Sequence, residues 1–470
     1  MHFYLRLIKS LNTYFWELQM KASIFFFFLL CTMAMAQDGA LSLEEISKIQ
    51  KDFVKDKETK VIQNIVTTNS IDSLVVDFTS SSENDTHFTH TVPYAGIRNQ
   101  SASGRCWIFS GLNCLRTKVM KDKKEKDFKL SASYLSFWDK MEKANLFLER
   151  AINLRDKDFL DREWMYVLEH SLSEGGWWNY ATGLIDKYGV VPDSAMPETK
   201  SSLNSGTMNR IYITYLKKCA VDIRQGKQKL EDLRKYKQSA LKNIYRFLVI
   251  NLGEPPKTFK YLVSAKEIDK PVYKNFSPQA FYKEYIGLDL NDYVCLFDNP
   301  SVPYNKYYTY SLSKAMYEKD DFSYVNLPAN MLKEACKESI LNKEAVWFAA
   351  DVGKDQLRDK GLMKAGINDY GKLFNLDLEI SKADRLKTLS GAPNHAMVLV
   401  GMDLQKDGSV KKWLVENSWG TKIGIQGKWH LYDNWFNEYV YAVIINKKYL
   451  AENVRKLFET KAQELSPWHP

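Results

Sequence analysis

Residues 99–111 of the chain read NQSASGRCWIFSG. The small residues at 101–104 predict a tight loop that can approach a ligand closely. From Cys106 onward, apolar residues recur at helical spacing as far as Leu112 and Leu115, which predicts a helix beginning at Cys106. The free N–H groups and the dipole at the start of a helix favour a thiolate over a thiol. Cys106 is therefore a candidate nucleophile, and the stretch indicates a cysteine enzyme.

A thiol nucleophile needs a base, and His395 is the best placed histidine. It opens the apolar run 395–402 directly after the turn-forming residues 391–394. The following apolar strand ends at Asn417, so a hairpin would bring Asn417 back beside His395. The amide oxygen could then accept the imidazole N–H and fix the tautomer. Trp419 could cover this hydrogen bond and keep water away from it.

Each residue also has a structural interpretation. A single histidine is more often a surface or packed residue than a catalytic one, and residues 417–420 alone are equally consistent with a turn that carries a packed tryptophan. After residue 36 the histidines are His87, His90, His170, His395, His430 and His469. Because a cysteine, a histidine and an asparagine all occur in the required settings, we favour the catalytic interpretation.

The N-terminus resembles an export signal. Met20 and Lys21 precede the short apolar run 24–30, and Ala34-Met35-Ala36 forms a small-residue cleavage site. We predict a signal peptide over 1–36, with Met20 as an alternative translation start. The run is too short for a membrane span, although an uncleaved anchor is the alternative. We therefore expect an exported protein, periplasmic or secreted, with no membrane span after the signal is removed.

Composition and charge describe an ordinary globular chain. Of 470 residues, 45% are hydrophobic and 26% are charged, and the net charge is +9. The lysines clustered at 121–126 and 411–412 are typical of solvated surface, and no nucleic-acid-binding motif accompanies them. The scattered cysteines do not suit a metal site or a disulfide-stapled scaffold. We expect no metal and no cofactor, and we leave open one disulfide among the cysteines other than Cys106.

The order of predicted elements indicates the α+β class. An amphipathic helix over 41–65 and a strand over 71–78 come first, and mainly helical segments follow. Strands are then predicted at 345–349, 395–402, 412–417, 427–431 and 439–444. Helices followed by a sheet that we expect to be antiparallel are typical of α+β proteins rather than of alternating βαβ proteins.

The sequence resembles the papain-like cysteine peptidases in Gln100, in the Gly-x-Cys-Trp of 104–107, in His395 and in residues 417–420. Arg105 and the long stretch between Cys106 and His395 are similar to one branch, the bleomycin hydrolase and aminopeptidase C family. Further similarity to that branch extends over residues 131–140, 174–177, 187–192, 252–256, 344–348, 351–354 and 435–441.

The resemblance implies a two-lobe papain-like fold with a large helical insertion. It divides the chain into an N-terminal extension or oligomerisation segment (37–90), a helical catalytic lobe (91–200), a mainly helical insertion (201–340), a β-rich catalytic lobe (341–460) and a C-terminal arm (461–470). It also implies a homohexameric barrel that removes N-terminal residues from peptides.

The resemblance further assigns roles to residues. Cys106 would be the nucleophile, His395 the general acid and base, and Asn417 its orienting partner. Gln100 and the backbone N–H of Cys106 would form the oxyanion hole. A catalytically inactive binding or scaffold protein and a DNA-binding barrel are the rival functions.

The C-terminal arm departs from the family pattern. Family members carry a longer arm whose terminal carboxylate meets the free amine of the substrate, whereas here residues 466–470 match only its start. We therefore expect Pro470 to gate the cleft less strictly than a long arm would. Exopeptidase specificity should be relaxed, with some cleavage of blocked peptides.

Overall fold

The computed structural model describes residues 16, 19–20, 39–94, 96–125, 127–226, 228–264 and 272–469. The chain divides into two compact units, Met1–Leu74 and Val75–Pro470. Most of the predicted signal peptide and the predicted gating residue Pro470 lie outside the described residues.

The first unit contains helices rather than one long helix and a strand. Its described helices are α1 (Leu43–Asp52), α2 (Lys57–Val66) and α3 (Ile71–Leu74). Asp56 caps α2 by accepting the Thr59 N–H at 2.7 Å, so the amphipathic pattern predicted over 41–65 is interrupted there. The strand predicted over 71–78 is wrong, because α3 occupies its first half.

The second unit contains the following helices: α4 (Phe78–Ser82), α5 (Cys106–Lys123), α6 (Ala132–Asn153), α7 (Arg162–His170), α8 (Trp178–Tyr188), α9 (Lys200–Leu203), α10 (Gly206–Gln225), α11 (Leu230–Leu252), α12 (Pro278–Ala280, continued by a π-turn over Phe281–Ile286), α13 (Ala329–Leu341), α14 (Tyr370–Phe374), α15 (Lys382–Lys387), α16 (Asp433–Tyr439) and α17 (Glu452–Leu457). Short 3₁₀ turns lie at Asp193–Ala195, Leu290–Asp292 and Lys447–Tyr449. No helix of the described ranges is both long enough and apolar enough to cross a bilayer.

The strands of the second unit are β1 (His90–Thr91), β2 (Phe259–Ser264), β3 (Val272–Phe276), β4 (Tyr293–Phe297), β5 (Lys306–Tyr310), β6 (Ser323–Asn326), β7 (Val346–Ala350), β8 (Gln356–Leu357), β9 (Leu362–Met363), β10 (His395–Leu404), β11 (Val410–Glu416), β12 (Lys428–Tyr432), β13 (Val440–Asn446) and β14 (Gln463–Leu465). β2 and β3 form a separate hairpin, and the others form one sheet in the order β14-β5-β6-β4-β13-β7-β10-β11-β12-β9-β8, with β1 on β10.

The sheet is mainly antiparallel, as predicted for its centre. β10 pairs with β7 and β11, which places His395 opposite Ala350 and Val398 opposite Glu416. Parallel pairs occur between β4 and β6, between β5 and β14, and between β9 and β12. The sheet is therefore mixed at its edges, where the connections run over long stretches of chain.

The structure adds to the prediction for two segments. The segment 201–340 is helical through α10 and α11, but its second half contributes β4, β5 and β6 to the main sheet. Residues 75–90, assigned above to the extension, pack on the sheet as part of the second unit. The Asp77 N–H donates to Ile367 O at 2.9 Å, and His90 pairs with Met402.

The core that supports the site is the contact between helix α5 and the central sheet. α5 is buried on nearly all sides, including Trp107, Ile108 and Leu115. The Trp347 indole of β7 donates to Trp107 O at 3.4 Å. Helix and sheet therefore hold Cys106 at the boundary between the helical and the β-rich parts.

Candidate active site

Cys106 is the first residue of α5, as the sequence predicts, and its side chain is partly exposed. The residue before it, Arg105, is buried and binds the Glu198 carboxylate through both terminal nitrogens, at 3.1 and 2.8 Å. Arg105 also donates to Ser202 O at 2.8 Å. Bidentate pairs of this kind fix orientation. The arginine that distinguishes this chain from papain thus anchors the start of the helix.

Glu174 holds the loop that precedes Cys106. Its carboxylate accepts the Gly104 N–H at 2.6 Å and the Ser205 hydroxyl at 2.7 Å, and it lies 3.4 Å from Lys140 Nζ. Burial acts to raise the pKa of Glu174, but Lys140 and the Gly104 N–H outweigh it and hold the pKa at about 2. The loop is therefore tied to a charged, partly buried acceptor.

Gly176 allows the segment that follows Glu174 to pack directly against the Trp107 ring of α5. A β-carbon at this position would lie 2.6 Å from the Trp107 ring, closer than van der Waals contact permits. The Trp107 indole also donates to Glu174 O at 3.0 Å. Only glycine fits at this crossing without displacing the tryptophan that follows Cys106.

His395 begins β10, and its Nε2 lies 2.9 Å from Asn417 Oδ1. The same oxygen accepts the Ser418 backbone N–H at 2.7 Å. Since a backbone N–H can only donate, this bond fixes which end of the Asn417 amide faces the histidine. His395 Nε2 must then carry the proton, and its Nδ1 is left as the acceptor. The structure brings together the two residues that the sequence pattern paired.

Trp419 and Gln100 lie around this pair. The Trp419 ring lies 4.8 Å from the His395 ring, centroid to centroid. Gln100 is buried, and its Oε1 accepts the Ser418 hydroxyl at 2.6 Å. One N–H of the Gln100 amide donates to Ser103 O at 2.6 Å, which leaves the second N–H for another acceptor.

The electrostatic setting of the thiol differs from the expectation above. Burial raises the pKa of the Cys106 thiol, although the backbone N–H groups of Ala396 and Trp107 oppose this effect. Burial also lowers the pKa of His395 to about 4, against the hydrogen bond to Asn417. Burial thus acts against the charged form of both groups, and it opposes the effect of the helix start on Cys106.

The thiol and the imidazole line one cleft of about 300 Å³. Gly175, Gly176 and Trp177 line this cleft, and so do residues 393–396. Such a site can perform acyl transfer, because it combines a nucleophile, a base of fixed tautomer and backbone donors at a helix start.

The sequence profile of the Peptidase C1-like family matches residues 40–470 of this chain. The chain belongs to that family. Aminopeptidase C of Lactobacillus delbrueckii subsp. lactis is 35% identical over 439 residues, which cover 92% of this chain and 97% of that protein. Aminopeptidase G of the same organism is 36% identical over 430 residues, with 91% and 98% coverage. The crystal structure of PepW from Lactobacillus rhamnosis superposes with a TM-score of 0.87 at 33% identity, covering 92% of this chain and 99% of that one.

Membership of the Peptidase C1-like family confirms the predicted family and the papain-like α+β fold. The protein is a papain-like cysteine peptidase related to aminopeptidase C.

The other cysteines of the described ranges are packed residues. Cys114, Cys219, Cys295 and Cys336 are buried, and the described chain contains no disulfide among them. Within the described ranges, no cluster of histidine, cysteine and acidic side chains is suited to hold a metal ion.

Sequence reasoning assigned no role to Lys140 or Glu174, although both lie in stretches noted above for their resemblance. A buried lysine on a helix and a glutamate before a glycine pair give no signal that they meet. Their contact depends on how α6 packs beside the loop of Gly104.

Proposed function

We propose that this protein hydrolyses peptide bonds through Cys106, His395 and Asn417, with a thioester intermediate. The observation that carries the proposal is the Asn417 oxygen, which accepts from both His395 Nε2 and the Ser418 N–H. This arrangement leaves the unprotonated Nδ1 of His395 as the base of a cleft that Cys106 also lines.

The chemical steps use the unprotonated Nδ1 of His395 as the base and the Cys106 sulfur as the nucleophile. His395 Nδ1 takes the thiol proton as Cys106 sulfur attacks the carbonyl carbon of the peptide. The imidazolium then gives that proton to the leaving nitrogen, the C–N bond breaks, and an acyl group remains on the sulfur. His395 next deprotonates a water, which attacks the thioester, and the released acid leaves the free thiol.

The oxyanion hole is proposed to use two donors. The Cys106 backbone N–H is one of the helix-start donors that have no partner within the helix. The second N–H of Gln100 is the other, because Ser103 and Ser418 already hold the rest of that amide in place. Donors fixed in advance stabilise the developing negative charge without reorganisation.

The relatives named above are aminopeptidases, and we propose aminopeptidase activity for this chain with relaxed specificity. A strict aminopeptidase needs an anionic group to hold the free amine of its substrate. Among the described residues that line the cleft, the charged ones are Lys143, Arg150 and Lys314, all cationic. An acetylated peptide should therefore be cleaved within about tenfold of its free-amine twin, since a surface-type ion pair contributes about 1 kcal/mol or less. A much larger preference for the free amine would refute the relaxed specificity.

Assembly and location are proposed on the resemblance and on the sequence pattern. We propose a homohexamer, which native mass spectrometry would test against a monomer. We also propose export directed by residues 1–36, which cell fractionation with N-terminal sequencing of the mature protein would test. Recovery of the intact N-terminus in the cytoplasm would contradict export.

Labelling by a thiol-directed epoxide peptide tests the catalytic proposal. Wild-type protein should take up one label at Cys106 and lose activity, and Cys106→Ala should take up none. Cys114→Ala provides a matched control, since that cysteine is buried in the same helix and should not affect labelling. Labelling that persists in Cys106→Ala, together with peptide cleavage, would contradict the proposal.

A further inference from the structure

The cleft contains a buried cation that the proposed chemistry does not use. Arg150 lines the cleft from helix α6, yet only 8% of its surface is exposed. Its guanidinium donates to Ser171 Oγ at 3.0 Å and to Leu312 O at 2.9 Å. These two contacts account for two of its five N–H groups.

No carboxylate of the described residues lies within ion-pair distance of Arg150. The other buried cations around the site are compensated: Lys143 lies 3.0 Å from Asp139, Lys140 lies 3.4 Å from Glu174, and Arg105 is paired with Glu198. Asp321 and Glu163 influence Arg150 only electrostatically, and burial lowers its pKa. A buried charge without a partner is costly, and such groups are normally paired.

The position of Arg150 relative to Cys106 can be estimated along α6. Lys143 Nζ lies 5.4 Å from the centroid of the Trp107 ring, next to Cys106. Arg150 follows seven residues later on the same helix, which is about 10 Å farther along the helix axis. An extended peptide advances about 3.3 Å per residue. The guanidinium is thus about two to three residues away from the scissile bond.

We propose that Arg150 forms a subsite for a substrate carboxylate, so that the cleft selects peptides with Asp or Glu two or three residues from the bond that is cleaved. Ser171 and Leu312 hold the guanidinium in place, and its free N–H groups take the carboxylate as a charge-assisted pair. Lys314, also on the cleft wall, adds positive potential. The inference rests on the proposed peptidase function and names its substrate class.

The test uses internally quenched peptides that differ only in Glu, Gln or Lys, scanned over three positions on each side of the cleaved bond. Wild-type kcat/KM should be about ten- to a hundredfold higher for Glu than for Gln at one position, the range expected for a hydrogen-bonded charge. Arg150→Met should abolish this preference, and Arg150→Lys should retain part of it. Arg155→Met, which removes the same charge just beyond the end of α6, should leave the preference unchanged.

A binding measurement separates the two proposals. Cys106→Ala protein should bind the Glu peptide more tightly than the Gln peptide by a similar factor, whether or not turnover occurs. If wild type cleaves every peptide in a Cys106-dependent way but does not distinguish Glu from Gln, only the subsite is wrong. If the Cys106→Ala protein shows the Glu preference in binding while wild type cleaves nothing, only the proposed function is wrong. A Glu preference that survives in Arg150→Met, with its thermal unfolding unchanged, would overturn the role of Arg150.

Discussion

Replacing Glu174 with glutamine should destabilise the protein and change its response to acid. The carboxylate is the acceptor for Gly104 and Ser205 and the partner of buried Lys140. Its pKa is about 2 in the folded protein, against an ordinary value of 4.5. A difference of that size corresponds to about 3 kcal/mol of stability at neutral pH. Removing one partner of a buried ion pair costs about 3–5 kcal/mol, which is of the same order.

The pH dependence of this contribution has a definite sign. Because the folded state holds the proton less tightly than the unfolded state, Glu174 contributes fully above about pH 4.5. Its contribution is lost as the pH falls from about 4.5 toward 2. Glu174→Gln should therefore be about 3 kcal/mol less stable than wild type at pH 7, with the difference disappearing near pH 2.

Urea unfolding at several pH values measures this difference. Glu169→Gln is the matched control, because that side chain is exposed and Glu169 makes only a weak contact with its neighbour His170. The control should track wild type at every pH. Equal unfolding free energies for wild type and Glu174→Gln at pH 7, or a difference that does not shrink below pH 4.5, would refute the reasoning.

Three other predictions concern the site. Gln100→Ala should lower kcat by about 10²–10³ through loss of an oxyanion donor, and steady-state kinetics that show only a raised KM would contradict this role. Gly176→Ala should lower the unfolding free energy by about 1–3 kcal/mol, because the added methyl group would lie 2.6 Å from the Trp107 ring. An unchanged thermal unfolding curve would show that the ring moves aside without cost. Activity should fall as the pH drops through about 4, because protonated His395 can no longer accept the thiol proton. A kcat/KM profile whose acid limb lies near pH 6.5 would show that burial does not lower the pKa of His395.

The sequence predicts the local setting of the site well because these signals are local. The helix that begins at Cys106, the strand that begins at His395 and the strand that ends before Asn417 each follow from apolar periodicity next to turn-forming residues. The pairing of His395 with Asn417 follows from one hairpin. The roles of these residues in catalysis remain predictions.

What the sequence does not predict depends on distant contacts or on capping. β4 lies in the segment predicted to be mainly helical, and its neighbours β6 and β13 lie far along the chain. Residues 71–78 include the β-branched Ile71, Val75 and Val76, which favour a strand, but Asp77 caps the next helix and accepts the Ser80 N–H at 2.5 Å. The pKa of Cys106 also depends on tertiary structure, because the backbone N–H groups at the helix start lower it whereas burial raises it.

The most direct test of the account is to trap the acyl group on the enzyme. Wild-type protein mixed with a slowly hydrolysed peptide thioester or ester and quenched in acid should show, by peptide mass mapping, one acyl group on Cys106. Asn417→Ala should accumulate this adduct more slowly, because His395 loses the acceptor that fixes its tautomer. An acyl group on another residue, or peptide cleavage that continues in Cys106→Ala, would contradict the claim that Cys106 is the nucleophile.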